Sequence, residues 1–358
     1  MLSSVLIAII AFTASFCCVM TFRPLAITFG LVDRPCPRKQ HSGNVPLVGG
    51  LAVYAAMAFS SFLFIPFDTS YKIYLISTSF MVLIGTLDDF YDLNAGLRLI
   101  AQFLIASLMV FGADLYITNL GNLIGTGTLE LGFFGPVFTL LAVVTAINAF
   151  NMMDGLDGLV GSLSVNTFVA IGLLASLSNT SFNTDLLAIF LGAIFAFLFF
   201  NCGRFKGGKY KIFMGDAGSM LVGLTIIWLV SVSSQGEQAI MNPITAVWFI
   251  AIPLIDMFSV MFRRIMVGNS PLQAGRDHIH HVFLFHGFSK SKITLIISAL
   301  SALLCALGLF SELQNIDEGI MAGLFIVLFC LYHGVMIKQD KKMKISKSLN
   351  VTEFKNAY

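Results

Sequence analysis

The sequence predicts an all-α, polytopic integral membrane domain, and three observations carry that expectation. Of 358 residues, 57% belong to the hydrophobic set and only 11% are charged, against about 25% charged in an ordinary soluble domain. The apolar residues gather into runs near the roughly 20 residues that a helix needs to cross a bilayer. Within those runs the apolar and polar residues do not alternate, which excludes a transmembrane β-barrel. A water-soluble globule of this length has no place to hide so much apolar surface. Disorder is excluded by the same composition, and nucleic-acid binding by basic residues scattered over short loops.

Eleven segments satisfy the length criterion: 2–22, 45–66, 71–87, 97–113, 134–150, 159–178, 185–201, 217–234, 243–262, 291–311 and 319–337. They form one membrane domain over 1–337, followed by a basic tail over 338–358. The loops 23–44, 88–98, 202–216 and 263–292 and the tail carry 4, 1, 4, 5 and 6 Lys or Arg, which is 20 of the 21 in the chain. By the positive-inside rule these five lie in the cytoplasm. The N-terminus is therefore expected outside, in the periplasm, and the C-terminus inside, as an odd number of spans requires. No Lys or Arg precedes the first run, so it reads as a retained helix and not a signal peptide. Six cysteines without a CxxC pair, none in a predicted outer loop, argue against disulfides and zinc. The tail lysines read either as a topology anchor or as a contact for anionic lipid.

Four of the cytoplasmic segments concentrate polar chemistry. Asp88, Asp89 and Asp92 close the third run. Continued helix would set Asp88 and Asp92 on one face, with Asp89 about 100° away. Carboxylates this close repel unless a cation sits among them, and magnesium shares oxygen ligands with substrate phosphates. The duller reading is an acidic helix end. The segment 148–158 offers Asn148, Asn151, Asp154 and Asp157 with two glycines, suited to a nucleotide or sugar, or else to a tight turn. Phe213 and Asp216 lie just before the eighth run, where Asp216 reads as a metal ligand or as a helix N-cap. Arg263, Arg264, Arg276, His278, His280 and His281 form a patch better suited to phosphate than to zinc. Asp256, inside the ninth run, is an intramembrane ionisable group. It serves either function or a salt bridge to Arg263 or Arg264.

Acidic groups for a divalent cation beside basic groups for phosphate, all at one membrane face, suit phosphoryl transfer. The membrane setting implies a lipid substrate. An ion- or proton-coupled transporter would place such groups near the midplane and in paired repeats, which the sequence lacks. A catalytically dead scaffold of the same fold is a third reading, disfavoured by the intact acidic set.

With its motifs LDDFYD at 87–92, NAFNMMDGLDG at 148–158, FMGDAGS at 213–219 and RDHIHH at 276–281, the chain resembles the polyprenyl-phosphate N-acetylhexosamine-1-phosphate transferases. PLVGG at 46–50 and IPLIDM at 252–257 fit too, and the likeness runs from Asp33 through His281 into the last spans. The resemblance is nearest to the branch that uses UDP-GlcNAc and undecaprenyl phosphate. It implies release of UMP and formation of undecaprenyl-pyrophosphoryl-GlcNAc, a first membrane step of O-antigen or enterobacterial common antigen synthesis. It also implies Mg²⁺ or Mn²⁺, inhibition by tunicamycin, and an active site on the cytoplasmic face of the bacterial inner membrane. By the same resemblance Asp88 and Asp89 are the paired aspartates, Asp216 a metal ligand, and Asn151, Asp154 and Asp157 the nucleotide loop. His278, His280 and His281 match the histidine motif. The branch that transfers phospho-MurNAc-pentapeptide has a lysine shortly before the stretch that corresponds to 45–50; it has no clear counterpart here, and Lys39 is the expected substitute. A homodimer is left open.

Overall fold

The computed structural model describes residues 2–35, 43–178, 182–237, 239–271, 273 and 275–356, with side chains between 4 and 343. Every apolar run falls on a helix. In chain order the helices are α1 (Leu2–Phe29), α2 (Gly49–Phe64), α3 (Thr69–Tyr91), α4 (Ala95–Ser107), α5 (Gly135–Met153), α6 (Leu159–Leu177) and α7 (Asp185–Asn201). They continue with α8 (Gly215–Ser234), α9 (Pro243–Phe249), α10 (Ala251–Met266), α11 (Ile279–Phe285), α12 (Lys290–Leu313) and α13 (Glu318–Asn356). A two-residue hairpin pairs β1 (Val32–Asp33) with β2 (Val45–Pro46).

The expected count of crossing helices is met in part. Among the described residues eight helices are long and apolar enough to span unaided, with α4 extended by a π-helical turn to Gly112. The predicted ninth run is broken: α9 and α10 meet at 80°. Pro253 lies one turn beyond the break and has no N–H to donate. The α2 and α7 helices hold only 16 and 17 residues, so the expected eleven spans become eight, or nine with the bent pair, plus two short apolar helices.

Helix α8 is the hub, with nearly every side chain buried. It packs against α2, α3, α5 and α6. Apolar helices in lipid gain nothing from hiding apolar surface, so close backbone approach at small residues holds them together. A Cβ added at Gly50 would lie 2.2 Å from the Gly218 nitrogen, and one at Gly85 would lie 2.3 Å from the Ala217 Cα. These two glycines seat α2 and α3 directly on the first turn of α8, and that turn carries Asp216.

Candidate active site

The first turn of α8 gathers the acidic groups. Gly215 opens the helix at φ +72°, a conformation that L side chains avoid, and a Cβ there would meet the Asp89 carboxylate at 2.5 Å. Asp89 instead accepts from the Asp216 N–H at 2.9 Å and the Ala217 N–H at 3.3 Å. A carboxylate thus occupies the positive end of the α8 dipole. The N-cap alternative for Asp216 does not hold: the cap comes from Asp89, across the helix pair. Asp216 points elsewhere, taking the Asn151 side-chain amide at 2.6 Å and lying against Asp88.

Asp88 is buried and fully engaged, accepting from Arg98 at 2.7 Å and from the Leu93 N–H at 2.8 Å. Asp92 departs from the helical expectation. Helix α3 ends at Tyr91, and Asp92 takes the left-handed conformation at φ 50°, exposed and off the shared face. Asn148 lies one turn deeper than Asn151, donating to the Gln102 side chain at 2.6 Å.

The nucleotide-type loop follows α5. Asp157 pairs with Lys211 at 2.7 Å, while its backbone carbonyl accepts from Thr294. Asp154 donates its backbone N–H to the Asn151 carbonyl, and no hydrogen bond or ion pair from a described residue reaches its carboxylate. Asp154 touches the surface, yet the mass of protein around it raises its carboxyl to about 8, with further push from Asp216, Asp157 and Asp33. Asn201 ties this loop to the next, accepting from the Gly158 N–H at 2.6 Å and donating to the Ile212 carbonyl at 2.9 Å. Phe213 bonds through its backbone to Pro46 and Gly49, with the Lys211 ammonium 5.3 Å from its ring.

The histidine segment folds over Gly155: a Cβ there would lie 2.3 Å from His280 Nε2. The His280 and His281 rings are 4.1 Å apart, and His278 stacks on His280 at 5.8 Å. Both ring nitrogens of His280 and Nδ1 of His281 are buried without partners. Burial, then the neighbouring imidazoles, lowers His280 to about 3; burial, His278 and Arg276 lower His281 to about 4. These two rings are neutral at pH 7, so they offer hydrogen bonds and not the positive charge expected of them.

The arginines are more committed than expected. Arg264 forks onto Asp277 at 2.8 and 2.7 Å, and Arg263 pairs with Asp340 and donates to the Asp277 carbonyl. Asp256 makes neither of the arginine bridges offered as its structural reading. It binds His278 Nδ1 at 2.7 Å, the Ile279 N–H and the Tyr332 hydroxyl. Arg276 is exposed near His281, and Lys39 lies outside the described residues.

The chain matches the family described as Glycosyl transferase family 4 over residues 71–234. It is 40% identical over 339 residues to the undecaprenyl-phosphate alpha-N-acetylglucosaminyl 1-phosphate transferase of Yersinia pestis, covering 94% of this chain and 92% of the relative. The Salmonella typhi enzyme of that name is 40% identical over 95% of this chain and 92% of its own. The one from Escherichia coli strain K12 is 39% identical over the same shares. The chain belongs to the polyprenyl-phosphate N-acetylhexosamine-1-phosphate transferase family. It is an enzyme, a membrane-embedded glycosyl transferase.

In this transferase the structure unites Asp88, Asp89, Asn151 and Asp216, and sets His280 against the loop that carries Asp154 and Asp157. Arg263, Arg264 and Asp256 brace the histidine segment from behind. Sequence reading missed Arg98, Asn201, Lys211, Thr294 and Tyr332. Arg98 was visible as the single cation of its loop, and Lys211 as one of four in 202–216. The other three lie inside apolar runs, where nothing in the pattern marks them.

Proposed function

We propose that the enzyme transfers GlcNAc-1-phosphate from UDP-GlcNAc to undecaprenyl phosphate, releasing UMP, at the cytoplasmic face of a bacterial inner membrane, as an entry step of surface-glycan assembly. The observation that carries this reading is the meeting of Asp89, Asp216, Asn151 and Asp154 at one helix end, beneath unpartnered imidazoles. The names of the relatives supply the lipid acceptor and the sugar phosphate. The excess of Lys and Arg on these loops supplies the cytoplasmic face.

A divalent cation fits the donor set. Asp88, Asp89, Asp154 and Asp216 crowd together against one paired cation, Arg98, leaving negative charge to offset. Among the described residues no three-group metal cage assembles. Magnesium does not need one, because one or two carboxylates plus substrate phosphates and water satisfy it. Asp216, with Asp88 beside it, would hold Mg²⁺ or Mn²⁺, which would neutralise charge building on the departing UMP.

The chain's own residues do the rest. An oxygen of the lipid phosphate attacks the sugar-proximal phosphorus, and the bond from that phosphorus to the bridging oxygen breaks. The second pKa of a phosphate monoester is near 6, so little proton removal is needed. Asp154, whose carboxyl lies near 8 and so carries a proton at pH 7, donates a hydrogen bond to a phosphate oxygen. Asp89 has both oxygens on α8 amides, so its role is to hold the α8 turn and Asp216 in place. His280 and His281 hydrogen-bond the donor's phosphates, while Asn151 fixes the rotamer of Asp216.

Purified protein given each UDP-sugar with undecaprenyl phosphate should release UMP with UDP-GlcNAc, and only when lipid is present. Proteoliposome flux without UMP release would replace this reading with transport. For the face, a cysteine at Lys209 should resist an impermeant thiol reagent in sealed cells, whereas one at Glu237 should react.

A further inference from the structure

The sequence reads the last helix as a span with a basic tail, yet one face of it makes three polar contacts, two with α10 and one with the end of the histidine segment. Tyr332 donates to the Asp256 carboxylate, Gln339 meets His286 Nε2 at 2.9 Å, and Asp340 pairs with Arg263. Positions 332, 336, 339 and 340 lie on one helical stripe, and Met336 between them is buried. Arg263 passes the contact on to the Asp277 carbonyl, one residue before His278.

Asp256 is the centre of this arrangement, at 1% exposure. A buried carboxylate is costly unless its lone pairs are filled, and here three donors fill them: His278 Nδ1, the Ile279 N–H and the Tyr332 O–H. Apolar replacement of such a cluster is commonly neutral or stabilising, so stability alone gives no reason for it. What the cluster does achieve is orientation. With Nδ1–H committed to Asp256, the His278 ring is fixed in one tautomer, its Nε2 left to act elsewhere. The His278 plane lies within 4° of the His280 plane, and His280 rests on Gly155.

We propose that Tyr332 and Asp256 are positioning residues that fix the tautomer and plane of His278, and through it the imidazole stack over the nucleotide loop, so that the last helix belongs to the active centre. This rests on the transferase reading given above.

The test uses full-length protein in detergent with ¹⁵N-labelled histidine, whose ring-nitrogen shifts distinguish tautomers, alongside UMP release with UDP-GlcNAc and undecaprenyl phosphate. His278→Gln assigns the signal. Asp256→Asn presents an amide that donates, so His278 should switch to the Nε2–H tautomer and kcat should fall by about a hundredfold or more. Tyr332→Phe should keep the Nδ1–H tautomer and lower kcat by about fivefold to tenfold, with KM for UDP-GlcNAc little changed. If Asp256→Asn does not accumulate, Tyr332→Phe decides alone, through a lowered kcat at unchanged KM and a His278 signal displaced within the Nδ1–H tautomer. Wild-type kcat in either variant, or an unmoved His278 signal in both, overturns the proposal. A wild-type protein that releases no UMP sinks the transferase reading instead.

Discussion

The two ends of the helix bundle spend their polar groups in opposite ways. At the end remote from the carboxylate cluster, Gln235 binds the Thr118 and Asn119 backbone and the Thr118 hydroxyl. Glu318 accepts from the Asn122 N–H, and Glu312 from the Asn242 N–H and the Thr245 hydroxyl. Each of these side chains closes a loop onto a helix end, so the need of buried main-chain groups for partners explains it. At the other end, carboxylates face carboxylates, the Asp154 carboxyl has no partner, and buried imidazole nitrogens stand unbonded. Folding alone gives no reason for that arrangement, whereas a charged, phosphate-bearing ligand does. Unpartnered polar atoms occur elsewhere too, Glu318 Oε2 among them, but at this end they gather beside crowded carboxylates, and that clustering is the mark of a site.

The largest expected effect separates the two ends outright. Asp216→Asn keeps the shape and the Asn151 contact but removes a charge, and should lower kcat by at least about a hundredfold with the folded yield unchanged. Excess Mg²⁺ should not restore it; full restoration would move the primary cation site to Asp88 and Asp89. Next in size, His280→Ala should lower kcat/KM by roughly tenfold to a hundredfold, the equivalent of one or two hydrogen bonds to a phosphate. The loss should appear mainly in KM for UDP-GlcNAc, because a neutral ring of fixed orientation serves bound substrate and transition state alike. Unaltered constants in both His280→Ala and His281→Ala would take the segment out of the site.

At the remote end the pattern should invert. Gln235→Ala strands several loop groups and should cost about 1–3 kcal/mol of stability, read as a lower melting temperature, with kcat and KM unchanged. A kinetic defect there at normal stability would erase the distinction between the ends.

The two ends also differ in the pH dependence of stability, measured without substrate or metal. Folding raises Asp154 from 3.8 to about 8, so between those values the folded state holds a proton that the unfolded state has lost. Stability therefore falls as pH rises through that window, and Asp154→Asn should flatten the fall. Folding lowers His280 from 6.5 to about 3, so the unfolded state takes up the extra proton. Stability falls there as pH drops below 6.5, and His280→Gln should lessen it.

Much of this was legible in the sequence because its signals are local. Apolar runs located every helix but α11, which falls in the expected loop 263–292, and the clustering of Asp88, Asp89, Asn151, Asp154 and Asp216 in short motifs located the acidic cluster. What escaped depends on tertiary approach. That α3 ends in a left-handed Asp92 is a matter of one dihedral angle, which a DDxxD pattern does not encode. That Asp89 caps α8 requires Gly85 and Gly215 to bring two distant turns together. That Asp256 meets His278 and Tyr332 instead of an arginine follows from the 80° bend before α10, which an unbroken apolar run conceals.

The central claim is that this end of the bundle moves a phosphorylated sugar, leaving the nucleotide's own phosphate behind. UDP-GlcNAc carrying ³²P only at the sugar-proximal position, incubated with undecaprenyl phosphate and enzyme, tests it directly. The account predicts that label passes into the lipid fraction in step with unlabelled UMP. Label recovered as UDP, with only the sugar on the lipid, would contradict it.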